Sequence, residues 1–371
     1  MTGQRLDPDR VAALRARSVE VILTNQAASG AYLASPSFPV YRYSWLRDGA
    51  FIANAMGRAG HADSAVRFLD WCRRVVEARL DRIDDLVRRH DAGVTIEDHA
   101  YLHTRYTIEG SEGADEWWNH QLDGYGAWLW ALDAQRVREA ASVPPARFSA
   151  AVEATARYLV ALWHTPCYDC WEEHGDQIHV ATLGAIAAGL RTAVGWPGVS
   201  TAVRRDAANA LDAIGDTVRR EGHHDGHLVK WLGGRDVDAN LLFCAIPFRL
   251  FAPDDPLMVA TVSELTDRLL DGGLHRHLAD TFFGGGQWIL LTALLGSYQV
   301  AVGDLDGARA RLQWVVEHAS AGGELPEQVS DRLLHPERFD EWRERWGPVA
   351  TPLLWSHAMF LDLAGDLAPI A

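Results

Sequence analysis

Three glutamates carry the residue types and setting that acid–base chemistry needs. Glu172 and Glu173 are adjacent, between Trp171 and Gly175, and Glu327 lies in a Gly-Gly-Glu-Leu-Pro-Glu-Gln segment without regular periodicity. Two carboxyl groups flanking a glycosidic bond suffice to hydrolyse it, one as acid and the other as base or nucleophile. A glutamate packed by tryptophan is of the kind that can hold a proton near neutral pH. Taken singly, each of the three could equally be a solvated surface charge. Other motifs are weaker. Gly284-Gly285-Gly286 lacks the Lys-[Ser/Thr] of a phosphate loop, and neither His-Glu-x-x-His nor Gly-x-Ser-x-Gly occurs. His223-His224-Asp225-Gly226-His227 reads as a hydrated loop rather than a metal site. Cys167-Tyr-Asp-Cys170 has no second Cys or His pair at matching spacing, so Cys72, Cys167, Cys170 and Cys244 are expected to be reduced thiols. No metal and no cofactor is expected.

The elements that must position these carboxylates are helical. Ala, Leu and Arg are frequent and strand signals are scarce. The periodicity predicts twelve helices near 8–28, 47–59, 61–90, 120–141, 145–164, 177–194, 199–221, 237–251, 255–271, 286–302, 304–320 and 352–366. Every second one is apolar on most sides and rich in small residues, as in Ala181-Thr182-Leu183-Gly184-Ala185-Ile186-Ala187-Ala188-Gly189-Leu190. The others carry a charged face, as in Ala202-Val203-Arg204-Arg205-Asp206-Ala207. A helix apolar all round is buried. The alternation therefore predicts an inner ring of six helices inside an outer ring of six, an ordinary helical bundle being the plainer alternative. With no linker or composition shift, residues 1–371 are expected to form one domain.

Segments rich in Trp, Asp, Glu and Arg precede the apolar helices. They are 41–48, 116–123, 170–175, 231–236, 276–283 and 324–328. In a ring of that kind the inner N-termini share one end, so these six segments would surround a single mouth. Asp48, Asp123 and Asp280 could instead be simple helix caps. Indole faces interleaved with carboxylates and guanidinium groups suit a neutral, hydroxyl-rich ligand such as a sugar. The chain has 15 tryptophans; Trp45, Trp117, Trp118, Trp171 and Trp231 are expected at the mouth, and Trp71, Trp130 and Trp196 in the packing. A net charge of −15 with a single lysine, Lys230, is the wrong footprint for nucleic acid. No apolar run reaches membrane-span length, and the opening Met1–Arg10 stretch has no apolar h-region, so a cytoplasmic protein is expected.

In these segments the chain resembles glycoside hydrolase family 15, the glucoamylase family. The specific pieces are Tyr-x-Tyr-x-Trp-x-Arg-Asp at 41–48, Trp-Glu-Glu at 171–173, Pro-Glu-Gln at 326–328 and Leu-Leu-Trp-Ser-His-Ala at 353–358. Asn-His-Gln-Leu-Asp-x-Tyr-Gly at 119–126 and Arg-x-x-x-Asp-x-Phe-Phe-x-Gly-x-x-Trp at 276–288 are softer. The resemblance implies an all-α (α/α)₆ barrel and an inverting exo-acting glucosidase. It implies Glu172 as general acid, Glu327 as general base and Tyr41 beside the base and the attacking water. Arg47 and Asp48 would grip the terminal glucose, with Trp45, Trp117 and Trp171 as pocket walls. Glu173 and Arg276 would lie near the scissile bond, with Asp280 supporting the arginine.

Two departures from the family pattern bear on function. The short flanks suggest a bare catalytic barrel, which favours a small α-glucoside such as isomaltose; trehalose and maltooligosaccharides are the alternatives within the family, and a non-catalytic oligosaccharide-binding barrel the alternative outside it. Phe282 and Phe283 stand where the family often has Tyr-Tyr, which would leave Tyr41 freer to share the base role.

Overall fold

The alternation of charged and apolar stretches becomes two concentric rings in the computed structural model, which describes residues 7–368. From the N-terminus the helices are α1 (Pro8–Thr24), α2 (Leu46–Arg58), α3 (Ala62–Glu77), α4 (Leu80–Asp91), α5 (Asp123–Arg138), α6 (Pro145–Leu162) and α7 (Val180–Gly195). There follow α8 (Thr201–Glu221), α9 (Pro256–Leu269), α10 (Ile289–Ala301), α11 (Leu305–Glu317), α12 (Phe339–Trp346) and α13 (Leu354–Asp366). The inner ring closes on itself. Helix α2 packs on α5, α5 on α7, α7 on a 3₁₀ turn at Ala239–Cys244, that turn on α10, α10 on α13, and α13 back on α2. Outside it, α1 backs α13, α3 backs α2, α6 and α8 back α7, α9 backs the 3₁₀ turn, and α11 backs α10. This is an (α/α)₆ barrel. The strands are two-residue pairs in the loops, and the longest run of pairing is a four-stranded patch at 270–271, 273–274, 287–288 and 328–329.

Burial follows the patterns that the sequence shows. Outer helix α8 buries Val203, Ala207, Ala210, Ile214 and Val218, one stripe at helical spacing. Inner helix α10 is buried without a break from Ile289 to Tyr298. The small residues of the inner ring let backbones touch. A Cβ on Gly126 of α5 would lie 2.2 Å from the Ala185 carbonyl oxygen of α7, and one on Gly189 would lie 2.7 Å from Gly126 Cα. Among the described residues no helix is long and apolar enough to cross a membrane. The Met1–Leu6 part of the opening stretch lies outside the described residues.

The ring differs from expectation in three places. The stretch 237–251 is not an α-helix. Only the turn Ala239–Cys244 is helical, and Pro247, which lacks an N–H and clashes with the preceding turn, interrupts the apolar run. The stretch 61–90 breaks at Ala78–Arg79, where the Arg79 guanidinium lies 4.2 Å over Tyr106 and donates to the Gly110 carbonyl at 3.0 Å. Helix α12 was not expected at all. Its charged positions hide an aromatic face at Phe339, Trp342 and Trp346, spaced three and four apart.

Side-chain caps start four of the six outer helices and none of the five inner α-helices. Outer helices α1, α8, α9 and α11 start with Asp7, Ser200, Asp255 and Asp304 accepting a backbone N–H. Inner helices α2, α5, α7, α10 and α13 have no side-chain cap. The polar residues before them are therefore not there as N-caps. Asp48 sits inside the first turn of α2, and Asp280 binds Arg276 rather than the start of α10.

Candidate active site

The inner N-termini surround one cavity of about 230 Å³. Ten of the eleven residues picked from sequence line it: Tyr41, Trp45, Arg47, Asp48, Trp117, Trp171, Glu172, Glu173, Arg276 and Glu327. The eleventh, Asp280, lies behind Arg276 and receives its Nε at 2.7 Å. Five of the six polar segments reach the cavity; 231–236 does not. Trp231, expected at the mouth, turns away and packs on His174, with ring centroids 5.0 Å apart. Trp118 lines the cavity as expected, whereas Trp71 and Trp196 are fully buried in the packing. Below the cavity Trp355 stacks on Phe51 at 5.1 Å and on Phe243 at 6.0 Å, so aromatic rings fill the barrel beneath its floor.

Glu172 occupies a left-handed backbone position, with φ of +67°. A side chain larger than glycine is seldom held there unless its surroundings enforce it. Asp169 does so. Its Oδ1 accepts the N–H groups of Trp171 and Glu173, each at 2.9 Å, and its carbonyl accepts that of Glu172 at 2.9 Å. The Glu172 side chain then meets three donors on one oxygen. Trp45 Nε1 and Trp117 Nε1 each donate to Oε1 at 2.9 Å, and Gln121 Nε2 donates at 3.2 Å. An oxygen accepting three N–H groups has no lone pair left for a proton. A proton carried by this carboxyl must therefore reside on Oε2, the oxygen left free for the cavity.

Glu327 is buried, and Tyr41 donates to its Oε1 at 3.0 Å. Among the described residues its Oε2 has no hydrogen-bond partner. Burial raises the Glu327 carboxyl to about 8, although the Tyr41 hydrogen bond and the Arg276 charge pull it down. Burial and the nearby Glu327 charge also push the Tyr41 phenol well above its ordinary range. The phenol thus keeps its proton and serves as a donor. The rings of Phe282 and Phe283 belong to the small cluster against which Tyr41 packs, and neither can compete for its hydroxyl. The Tyr41 hydroxyl points at the Glu327 carboxylate.

Arg47 and Asp48 lie side by side in the first turn of α2. Arg47 Nη1 donates to Gln121 Oε1 at 2.8 Å and to Asp123 Oδ2 at 3.1 Å, and its Nε is 3.4 Å from Asp48 Oδ2. Burial lifts the Asp48 carboxyl to about 6, against the pull of Arg47 and with the help of the Glu172 charge. Asp48 Oδ2 and Glu327 Oε2 are both buried carboxylate oxygens of the cavity without a hydrogen-bonded protein partner. They are acceptors held ready for hydroxyl or water protons.

Glu173 is gripped by Arg276, Lys230 and the ring of His277. Arg276 Nη2 reaches its Oε1 at 3.2 Å, while His277 Nε2 at 3.0 Å and Lys230 Nζ at 3.4 Å reach Oε2. Burial opposes its charge, but Arg276 first, then His277 and Lys230, outweigh that and hold the carboxyl far below its ordinary range. Arg276 itself lies 5.1 Å from the ring centroids of both Trp171 and Trp288.

Several residues here have no role assigned from the sequence. Gln121 joins Arg47 to Glu172. Trp288 and Trp355 sit within motifs that carry the family resemblance and line the cavity. Trp342 and Trp346 of α12 also line it, and their i,i+4 spacing was the only available signal. Lys230, Asp169 and Asp238 form an ionic group behind the wall. The four cysteines are free.

The geometry can be set beside known proteins. The profile of Glycosyl hydrolases family 15 matches residues 12–284. An isomaltose glucohydrolase of Kribbella flavida is 46% identical over 362 residues, which covers 96% of this chain and 93% of that one. A solved wild-type glycosidase superposes with a TM-score of 0.94 at 44% identity, covering 98% of this chain and 99% of its own. A variant of a glycosidase with one glutamate changed to alanine, solved in complex with glucose, matches equally well, with a TM-score of 0.94 and 44% identity.

Proposed function

The chain belongs to glycosyl hydrolases family 15, and on that premise we propose that it is an inverting exo-acting α-glucosidase that cleaves isomaltose. One observation carries the chemistry: Glu172 and Glu327 share a single cavity, each with one oxygen fixed by N–H or O–H donors and the other free. Identity to an isomaltose glucohydrolase over nearly its whole length carries the choice of substrate. On this reading residues 1–371 act as one catalytic domain.

Arg47 and Asp48 bind hydroxyls of the non-reducing glucose at the bottom of the barrel, above Trp355. The aromatic fill beneath prevents a chain from passing through, so only a chain end enters. Glu172 gives its Oε2 proton to the glycosidic oxygen, and the C1–O bond breaks with its electron pair on that oxygen. Water attacks C1 from the face served by Glu327, whose Oε2 takes the proton released. Tyr41 stabilises the ionised Glu327 through its hydrogen bond. Glu173 and Arg276, held by Asp280, meet the leaving glucose. The products are β-glucose and glucose. Proton exchange with solvent then restores a protonated Glu172 and an ionised Glu327.

Anomer-resolved proton NMR of freshly released glucose from isomaltose tests this. The β-anomer is expected first; initial α-glucose would rule out inversion, and no turnover of any α-glucoside would leave a binding barrel.

A further inference from the structure

The single lysine of the chain is buried at the back of the site, where no step of the proposed reaction uses it. We propose that Lys230 is a positioning residue for the catalytic acid: it ties together the three carboxylates that fix the segment on both sides of Glu172. The inference rests on the acid role of Glu172 proposed above.

Lys230 is 3% exposed, and its Nζ lies 3.1 Å from Asp238 Oδ2, 3.4 Å from Glu173 Oε2 and 3.5 Å from Asp169 Oδ2. Each carboxylate holds a different part of the acid's segment. Both oxygens of Asp238 accept Trp171 Nε1 at 3.0 Å, which fixes the indole before Glu172. Asp169 Oδ1 accepts the backbone N–H groups of residues 171 and 173, which brackets the strained φ of Glu172. Glu173 is the residue after it. The lysine's own backbone is anchored too: its carbonyl accepts Val180 N–H, at the start of α7, at 3.1 Å, and its N–H donates to the Asp236 carbonyl at 2.7 Å.

The charge count shows why the ammonium matters. Glu173 also has Arg276 and His277. Among the described residues no Lys or Arg other than Lys230 lies within 4.0 Å of Asp169 or Asp238, and only the His179 ring approaches Asp169, at 3.9 Å. Burial works against the lysine's charge, yet Asp238, Asp169 and Glu173 outweigh it and keep the group protonated. Without Nζ, buried Asp169 and Asp238 would repel across the gap, and the segment carrying Glu172 would lose its brace. A compact ammonium with three rotatable donors can face three carboxylates from different sides; a planar guanidinium fork cannot do so as well.

Two substrates separate positioning of the acid from general damage. The glucose expelled from isomaltose is a poor, alkoxide-type leaving group that needs the proton of Glu172, whereas the phenolate of p-nitrophenyl α-glucoside departs without one. For Lys230→Met in the full chain, kcat on isomaltose is expected to fall on the order of 10²-fold, and on the aryl glucoside less than about tenfold. Glucose affinity by calorimetry should stay within about twofold, because Arg47 and Asp48 are untouched. Lys230→Arg should recover part of the isomaltose rate. Circular dichroism reports folding; if Lys230→Met does not fold, Asp238→Asn loosens the same brace at Trp171 and is read by the same ratio. A ratio of the two losses below about threefold, or an undiminished isomaltose rate, overturns the proposal. A wild-type protein inactive on both substrates would instead overturn the function on which it rests.

Discussion

The pair formed by Tyr41 and Glu327 makes a prediction with a sign and a size. Glu327 acts as a base only when ionised, and burial places its carboxyl at about 8 despite the Tyr41 donor and the Arg276 charge. In kcat/KM, which reports groups of the free enzyme, activity should therefore fall as pH drops below about 8, several units above an ordinary glutamate. Asp48, lifted to about 6, adds a second and lower step. Among the described residues Tyr41 makes the one hydrogen bond to the Glu327 carboxyl, 3.0 Å long, and Tyr41→Phe removes it. A hydrogen bond to a charged group contributes about 1.5–3 kcal/mol, or roughly 1–2 pH units of carboxyl acidity. Losing it disfavours the ionised form, so the upper step moves to higher pH by roughly 1–2 units while the Asp48 step stays. Near pH 7 the variant should lose about 10- to 100-fold in kcat/KM, and the deficit should shrink as pH rises. The assay is kcat/KM on isomaltose from acid to alkaline pH for both proteins. A deficit of the same size at every pH would refute this reasoning, because it would mean that Tyr41 takes part in the chemistry itself rather than through the ionisation of Glu327.

Three further outcomes follow from the same geometry. Glu327→Gln should abolish hydrolysis yet stabilise the fold: the unfolded carboxyl ionises near 4.5 and the folded one only near 8, so the wild-type melting temperature should drop relative to the variant as pH rises through that window, and parallel melting curves would contradict the buried, partner-poor Oε2. Glu172→Gln should lose on the order of 10²- to 10⁴-fold on isomaltose but far less on p-nitrophenyl α-glucoside, as steady-state rates on the two substrates would show; equal losses would remove the acid role. Trp346→Ala takes away a cavity-lining ring held only on the short helix α12, and it should raise KM for isomaltose by roughly five- to tenfold with little change in kcat; a loss confined to kcat would place Trp346 in the chemistry instead.

What was legible in the sequence, and what was not, follows from how each part is held. The rings were readable because burial on all sides and burial on one side leave different patterns, as in α10 and α8. The wall residues were readable because Tyr41–Asp48, Trp171–Glu173 and Pro326–Gln328 are short contiguous motifs, each arriving at the cavity on its own loop. The supporting contacts were not, since Trp171 meets Asp238 across 67 residues and Lys230 meets Glu173 across 57, with no period to mark either pair. Helix α12 escaped because its charges outnumber its aromatic face, and the break at Arg79 because that arginine is a sound helix former drawn aside by Tyr106.

The sixth sector of the barrel is the irregular one. Its apolar run 237–251 has the pattern of an inner helix, and the polar segment 231–236 before it has the composition of the mouth. The chain instead forms a 3₁₀ turn, the one inner-ring element whose start is capped by a side chain, with Asp238 Oδ1 accepting Asn240 N–H at 2.9 Å. The other inner helices leave their first turns without side-chain caps, and their polar side chains reach the cavity. Here the aspartate is spent on the turn, on Trp171 and on Lys230, and the preceding segment 231–236 contributes nothing to the lining. Five sectors thus line the cavity, while the sixth, irregular one bears on them from behind. An alanine scan of 231–236 should accordingly leave glucose affinity unchanged, whereas loss of the Asp238 carboxylate should be felt at Glu172.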